Sequence, residues 1–266
     1  MWEGFTMEVL QRPGGELATR PIHFFWVVDC SGSMYGEKIG IVNNTIQECI
    51  PEMRSAADNN PNAQLLIRAL QFSSGASWIT SSPVPVEDYG WEDMDANGLT
   101  EMGKAFDLLA AQLSIPPMPE RALPPVIVLL SDGQPTDDYK KSMEKLKKLP
   151  WFRKAVKIAI SIGQDADDEV LIEFAGNKEL VLQANNATAL AKMIKWASTT
   201  ASMVSAPSSK PMNSVAASTP ASASGASVAA SVPADDPFAP ANNGAPLVLD
   251  MSNIPNPDDF DEGAVW

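Results

Sequence analysis

The sequence predicts an α/β fold: a doubly wound, mainly parallel sheet with helices on both faces, followed by a disordered C-terminal tail. Up to about residue 197, short apolar runs rich in β-forming residues alternate with segments whose apolar residues recur at helical spacing. This alternation is typical of a parallel sheet covered by helices. From Ser198 to Ala245 the chain is almost entirely Ala, Ser, Pro, Val and Asn, a composition that cannot bury a core.

The predicted elements follow from these periodicities. The run 22–28 is continuously apolar, as expected of a central strand buried on both faces. After it, apolar residues recur every three or four positions to about residue 57, which predicts an amphipathic helix. The remaining predicted strands are 64–72, the short edge elements 76–79 and 84–86, 126–130, 156–162 and 180–182, and the remaining helices are 102–113, 139–149, 167–175 and 188–196.

Composition divides the chain into four predicted parts. These are an N-terminal segment (1–19), the α/β domain (20–197), an Ala/Ser/Pro-rich flexible linker (198–245) and an acidic-hydrophobic C-terminal motif (246–266). The last part scatters apolar side chains, Phe260 and Trp266 among them, between acidic residues. That pattern favours a short motif that folds on a partner, and the alternative is a terminus with no role.

Charge and cysteine content exclude several classes of function. The net charge is −14, with 18 basic and 26 acidic residues up to position 197, which argues against nucleic acid as a ligand. The two cysteines, Cys30 and Cys49, form no CxxC pair, which fits a reducing compartment. The chain begins without a signal-like segment, and its apolar runs are too short to span a membrane. We therefore expect a cytoplasmic protein with no membrane partner.

A set of oxygen-bearing side chains follows the first predicted strand. Asp29, Ser31 and Ser33 lie at alternating positions in a glycine-containing turn, and a later apolar strand ends in Ser131 and Asp132. The carboxyl ends of parallel strands meet at one edge of the sheet, where ligands bind. Hard oxygen ligands suit Mg²⁺ or Mn²⁺. Such turns also occur without metal, so the spacing by itself is weakly specific.

The pattern D-x-S-x-S, then a Thr, then an Asp, resembles the metal-ion-dependent adhesion site of von Willebrand factor A (vWA) domains, which have a Rossmann-like fold. All five positions are filled, and the resemblance covers about residues 20–197. Within the family, the run 131–138 (SDGQPTDD) resembles the bacterial TerY-type proteins of tellurium-resistance and stress operons. The matching residues are Asp29, Ser31, Ser33, Thr100 and Asp132.

The resemblance implies a role for each of these residues. Ser31 and Ser33 would ligate the metal through their hydroxyls, Thr100 would ligate it directly or through water, and the two acids would act mostly through waters. The ion would be Mg²⁺, or alternatively Mn²⁺ or Ca²⁺. A carboxylate from a partner would complete the coordination shell. Electrostatics agrees, because two neighbouring acids repel each other and a dication offsets that repulsion.

Residues near this loop are candidate partner contacts. Met34 and Tyr35 are expected to be exposed beside Ser33, with packing within the loop as the alternative. Asp137, together with Asp138, either borders the site or caps the following helix.

The histidine, cysteine and glycine residues of this sequence do not predict an enzyme. His23 is the only histidine and lies within an apolar strand, so no Ser-His-Asp triad is available. Cys30 has no neighbouring histidine to activate it, and no phosphate-binding glycine loop is present. The enzymatic alternative is a metal-assisted phosphohydrolase or nuclease that uses Asp29 and Asp132 to position water.

The predicted function is therefore a non-enzymatic, metal-dependent protein–protein interaction module that recruits a partner through an acidic side chain. The TerY-type resemblance implies a bacterial stress, tellurite-resistance or phage-defence system. It also implies candidate partners, namely an operon-encoded protein kinase and a metal-dependent Ser/Thr phosphatase. For the motif 246–266, one alternative is that one of its own acids occupies the metal site.

Overall fold

A computed structural model describes residues 20–58, 63–132, 134–164 and 166–204, the last nine of them by backbone only. The predicted N-terminal segment 1–19, most of the predicted linker and the motif 246–266 with Phe260 and Trp266 lie outside the described residues.

The described strands form one mixed, mostly parallel sheet. The strands are β1 (Arg20–Asp29), β2 (Ala63–Ser73), β3 (Gly75–Trp78), β4 (Val84–Pro85), β5 (Val126–Ser131), β6 (Val156–Ile162) and β7 (Val181–Ala184). Their order in the sheet is β3-β2-β1-β5-β6-β7, and β4 also pairs with β2. The pairs β1/β2, β1/β5, β5/β6 and β6/β7 are parallel, whereas β3 and β4 run antiparallel to β2. The predicted fold class is thereby confirmed.

Helices cover both faces of this sheet. They are α1 (Glu37–Asp58), α2 (Met102–Gln112), α3 (Tyr139–Lys148), α4 (Pro150–Lys154), α5 (Asp168–Ala175) and α6 (Ala187–Val204), with short 3₁₀ turns at Gly32–Met34 and Lys178–Leu180. No helix in this part of the chain is both long and apolar enough to cross a membrane.

Two helix predictions differ from the structure. The segment predicted as one helix over 139–149 contains a break, because Leu149 is extended (φ −75°, ψ 130°). A residue before proline disfavours the helical conformation, and Pro150 then starts α4 at a position where its missing N–H is harmless. Helix α6 continues to Val204, so the predicted end of this helix at residue 196 is eight residues too early, and the helix extends into the segment predicted as a linker.

The two faces of β1 show how the core is divided. Phe24, Trp26 and Val28 pack with α1 and α6 in one apolar cluster. Phe25 and Val27 pack with α2, α3, α4 and α5 in the other. All five side chains are fully buried, which explains why this strand has no polar alternation. Because β1, β5 and β6 are parallel, the loops that follow them leave the sheet at one edge.

Candidate metal centre

Asp29 is the last residue of β1 and is fully buried. Its Oδ1 accepts a hydrogen bond from the Ser31 backbone N–H (2.8 Å), and its Oδ2 accepts one from the Ser131 hydroxyl (2.6 Å). The second bond crosses from β1 to the end of the neighbouring strand β5. Both oxygens are therefore held in place by the two strand ends that form the site.

The two predicted serine ligands lie side by side. The Ser31 and Ser33 hydroxyl oxygens are 3.1 Å apart, and the 3₁₀ turn Gly32–Met34 brings them together. Ser31 is buried, whereas Ser33 faces solvent. Adjacent oxygens around an octahedral Mg²⁺ would be about 2.9 Å apart, given metal–oxygen distances of about 2.0–2.1 Å. The hydroxyl separation thus fits one coordination sphere.

The loop 97–100 brings Thr100 to the same edge. The Gly32 N–H donates to the Gly98 carbonyl (3.1 Å), and the Asn97 N–H donates to the Cys30 carbonyl (2.8 Å). Gly98 has a φ of +79°, and a Cβ there would lie 2.5 Å from Ser74 Oγ. Glycine at this position therefore fits both the left-handed backbone and the close approach to Ser74, which lies between β2 and β3.

Thr100 itself is buried and joined to the loop after β5. The Thr136 N–H donates to the Thr100 carbonyl (2.8 Å), and the Thr100 N–H donates to the Thr136 hydroxyl (3.2 Å). Hydrogen bonds thus join the loop that carries Thr100 to the loop after β1 and to the loop after β5.

Asp132 follows β5 directly and is only 5% exposed. Its Oδ1 has no hydrogen-bond partner among the described residues, and its backbone carbonyl accepts from the Asp167 N–H (2.9 Å). A buried carboxylate oxygen without a partner is costly, and cations or their bound waters are the groups that satisfy it. The donor set of two acids and three hydroxyls therefore fits a divalent ion.

Burial dominates the electrostatics of the site. It raises the pKa of Asp29 to about 6, although hydrogen bonds from Ser131 and Ser31 oppose the rise, and the negative charge of Asp132 adds to it. Neither acid takes part in any ion pair within the described residues. In the same part of the chain, no group of three or more His, Cys, Asp or Glu side chains is arranged to hold a metal, so the candidate centre depends on its hydroxyls.

The predicted partner contacts beside Ser33 fall into two kinds. Met34 is completely buried and belongs to the core cluster packed against α1, so the prediction that it is exposed is wrong. The 3₁₀ turn directs its side chain inward, which the sequence pattern does not reveal. Tyr35, in contrast, is 79% exposed, and its contact with a partner stays a prediction.

Asp137 caps a helix, but a different one from the helix that follows it in sequence. Its carboxylate accepts from the Gly103 N–H (3.0 Å) and the Lys104 N–H (3.2 Å) at the start of α2. Asp138 is at the N-cap of α3, but its side chain makes no capping hydrogen bond there. A Cβ at Gly103 would lie 2.8 Å from Asp137 Oδ2, so glycine makes room for this cap.

Sequence reasoning missed the residues that support the site. Ser131 orients Asp29, and Asn43 on α1 holds the loop before Thr100. The Asn43 side-chain oxygen accepts from Trp91 Nε1 (3.1 Å) and the Met94 N–H (3.0 Å), and its amide donates to the Met94 carbonyl (2.9 Å). A polar residue on the apolar face of a predicted helix was the available signal for Asn43.

Comparison with known families agrees with this fold. The family model for the von Willebrand factor type A domain matches residues 25–196. The chain therefore belongs to the von Willebrand factor type A domain family. A search of curated protein sequences finds no match to it.

Several solved structures share the fold at low sequence identity. The ArnB paralog VWA2 from Sulfolobus acidocaldarius is 17% identical (TM-score 0.50), with 67% of this chain and 45% of that chain covered. Proximal thread matrix protein 1 from the mussel byssus is 18% identical (TM-score 0.51), with 71% and 50% covered. The pilus adhesin SpaC from Lactobacillus rhamnosus GG is 15% identical (TM-score 0.51), with 65% and 29% covered. The chain thus spans half or less of the length of these proteins.

Proposed function

We propose that this chain is a non-enzymatic, metal-dependent protein–protein interaction module. In this proposal the five residues of the candidate centre hold Mg²⁺, or alternatively Mn²⁺ or Ca²⁺, and a partner's carboxylate completes the coordination shell. The observation that carries the proposal is the buried Oδ1 of Asp132, which has no hydrogen-bond partner in the part of the chain that the structure describes, beside the buried carboxylate of Asp29. The bound ion supplies the positive charge that attracts a carboxylate.

The chain's own residues prepare the site for that ion. Ser131 and the Ser31 N–H fix the orientation of the Asp29 carboxylate. The Ser31 and Ser33 hydroxyl oxygens lie 3.1 Å apart, and the hydrogen bonds between Thr100 and Thr136 hold the third hydroxyl residue at the same edge. Such preorganisation lowers the conformational cost of binding.

The missing catalytic groups support a binding role over an enzymatic one. Burial lowers the pKa of His23 to about 4, and this residue lies in β1 six positions before Asp29, away from the edge that carries the site. Burial, together with the charges of Asp29 and Asp95, raises the pKa of Cys30 to about 12, so its thiol stays protonated at neutral pH. The alternative, a metal-assisted phosphohydrolase or nuclease, predicts Mg²⁺- or Mn²⁺-dependent turnover that is lost in Asp29→Ala.

The biological setting is proposed from the resemblance of residues 131–138 to TerY-type proteins. It is a cytoplasmic bacterial stress, tellurite-resistance or phage-defence system, in which the partners are a protein kinase and a metal-dependent Ser/Thr phosphatase. A pull-down from the native host, with wild type and Ser31→Ala/Ser33→Ala and with and without EDTA, tests it. Proteins lost both in the variant and after chelation are the metal-dependent partners.

The metal site is tested with Asp29→Asn. The folded state disfavours the ionised Asp29, whose pKa is raised from 3.8 to about 6, so stability is lost as pH rises through this window and the loss is complete at neutral pH. Its cost there is on the order of 3 kcal/mol. Without metal, the neutral Asn should therefore increase the free energy of unfolding. Excess MgCl₂ should stabilise the wild type in urea denaturation and leave the variant unchanged.

Matched serine variants serve as the control for this test. Ser31→Ala/Ser33→Ala should lose the Mg²⁺-dependent increase in the free energy of unfolding. Ser81→Ala/Ser82→Ala changes two exposed hydroxyls elsewhere and should keep it. An equal response to Mg²⁺ in wild type and in both the Asp29 and Ser31/Ser33 variants would contradict the proposed site.

A further inference from the structure

The charge of the domain is concentrated at the edge that carries the candidate centre. We define the acidic edge as the four segments 29–38, 91–101, 132–138 and 163–168. The described residues of these segments include 11 acidic residues and one basic residue, Lys38, whereas the chain up to position 197 outside the four segments contains 14 acidic and 17 basic residues. Acids that served only solubility would be spread over the whole surface, so the acidic edge has a directional field.

The acids of the loop before Thr100 are held in position without being neutralised. Glu92, Asp93 and Asp95 are exposed, and none of them has an ion-pair partner among the described residues. Asn43 fastens this loop at Trp91 and Met94, between which two of the three acids lie. The third is two residues from Asn97, whose N–H donates to Cys30 in the metal loop.

Two exposed apolar side chains lie at the same edge. In the described part of the chain, the large apolar residues that are strongly exposed are Tyr35 (79%), Leu99 (55%) and Ile115 (41%). The hydrogen bond from Gly32 to Gly98 joins the two loops that carry Tyr35 and Leu99. Exposed aromatic and aliphatic groups beside a polar centre are typical of interaction surfaces.

We propose that the acidic edge selects a partner protein whose metal-binding carboxylate is flanked by lysine or arginine and accompanied by an apolar side chain. This inference rests on the proposed function. The centre of the surface is marked independently by the buried Oδ1 of Asp132, to which no described residue gives a hydrogen bond. An isolated carboxylate approaching the edge meets repulsion from the surrounding acids, and basic flanking residues convert that repulsion into attraction over about 8 Å at physiological salt.

The same electrostatic argument disfavours the chain's own C-terminal motif as the source of the carboxylate that completes the metal site. Residues 246–266 contain five acids and no basic residue, so the motif offers carboxylates without compensating positive charge. Its acids would be repelled by the acidic edge. The expected partner is therefore a separate protein.

Labelled synthetic peptides test the inference with the full-length protein and MgCl₂. The first probe has one Asp between lysines with an adjacent Leu, the second has glutamates in place of the lysines, and the third has Asn in place of the Asp. Fluorescence anisotropy should give an affinity for the lysine-flanked peptide that is roughly tenfold or more above that of the glutamate-flanked one, a ratio that falls as NaCl increases. EDTA and the Asn peptide should abolish binding.

Charge-reversal variants locate the selectivity on the protein. Glu92→Lys/Asp93→Lys/Asp95→Lys should remove or invert the preference for lysine flanks. The matched control Glu52→Lys/Glu120→Lys/Glu144→Lys makes the same change of net charge at exposed positions away from the acidic edge and should keep the preference. Tyr35→Ala and Leu99→Ala should each weaken binding of the Leu-containing peptide several-fold.

The outcomes separate this inference from the proposed function. Equal, Mg²⁺-dependent binding of the lysine-flanked and glutamate-flanked peptides would overturn the inference and leave the metal-dependent function standing. A peptide of residues 246–266 that binds as tightly as the lysine-flanked probe would also overturn it. If no Asp-containing peptide binds in an Mg²⁺-dependent manner, both fail.

Discussion

His23 is the clearest case of a titratable side chain placed by packing. It is 4% exposed, neither ring nitrogen has a hydrogen-bond partner among the described residues, and its ring stacks on Phe25 with centroids 5.9 Å apart. Burial lowers its pKa from 6.5 to about 4. The folded state therefore requires the neutral imidazole.

This burial makes stability depend on pH in a defined window. Between pH 6.5 and about 4 the unfolded chain binds a proton at His23 that the folded chain does not, so the free energy of unfolding falls as pH decreases. The loss attributable to His23 is on the order of 3 kcal/mol at the acidic end. Urea denaturation should show this loss in wild type relative to His23→Leu.

Because His23 is the only histidine, its titration can also be followed directly by NMR. A folded-state pKa near 6.5 would contradict the prediction. So would identical pH profiles of wild type and His23→Leu between pH 6.5 and 4.

At the scale of single residues, the sequence predicted which side chains lie in one loop better than it predicted the direction in which each side chain points. The proximity of Asp29, Ser31 and Ser33 could be predicted because one short turn after an apolar strand carries all three. The burial of Met34 could not be predicted, because only the 3₁₀ turn decides that its side chain points into the core. The position of Asp132 directly after a strand could be predicted from the sequence. The hydrogen bond from Ser131 to Asp29 could not, because it requires β1 and β5 to be neighbours in the sheet.

Helix α2 shows how an element depends on a residue far away in sequence. The residue before it, Glu101, makes no side-chain cap, and Asp137 from the loop after β5 accepts hydrogen bonds from two N–H groups of its first turn. A carboxylate at a helix N-terminus also interacts favourably with the helix dipole. The cap thus couples α2 to the loop that follows Asp132.

Asp137→Ala should lower the free energy of unfolding by about 1 to 2 kcal/mol, because two N–H groups of α2 lose their acceptor. Asp138→Ala is the matched control, since Asp138 is exposed and its side chain makes no capping bond. Chemical denaturation measures the difference, and hydrogen exchange should locate the loss of protection in the first turn of α2. A larger effect of the Asp138 substitution would refute this assignment.

Elements with strong periodicity were predicted well, and those set by tertiary contacts were not. Strand β6 (Val156–Ile162) matches its predicted bounds because apolar residues buried on both faces leave a continuous signal. The break at Leu149 follows from proline chemistry. The cap of α2 by Asp137 was not predictable, since local sequence favoured the adjacent helix α3.

At the scale of the whole molecule, the core formed by the described side chains spans residues 22–194. Both apolar clusters are built from residues between Ile22 and Ile194, and α6 contributes Ala189, Leu190, Met193 and Ile194 to the face that packs against α1. The family match likewise ends at residue 196. Strand order was not deducible from periodicity, but the alternation of strands and helices was sufficient for the fold class.

Truncated chains test which C-terminal segments are needed for folding. A chain of residues 1–204 should unfold in one cooperative transition, with the same response to Mg²⁺ as the full chain. A chain of residues 1–186 exposes the apolar face of α1 and should lose cooperative unfolding, because about 2 kcal/mol is lost for each large apolar side chain removed from the core. Near-UV circular dichroism and thermal denaturation report both results. Loss of cooperativity in the 1–204 chain would show that residues beyond α6 contribute to the core.

The hydrogen bond between Ser131 and Asp29 joins residues 102 positions apart in sequence. Contacts of such long range close large loops and form only when β1 and β5 are paired. An ion held by the two strand ends would therefore bind the native state and not the early stages of folding. We expect Mg²⁺ to slow unfolding while leaving the refolding rate nearly unchanged, so that the ion would act on the lifetime of the folded protein more than on the speed at which it forms.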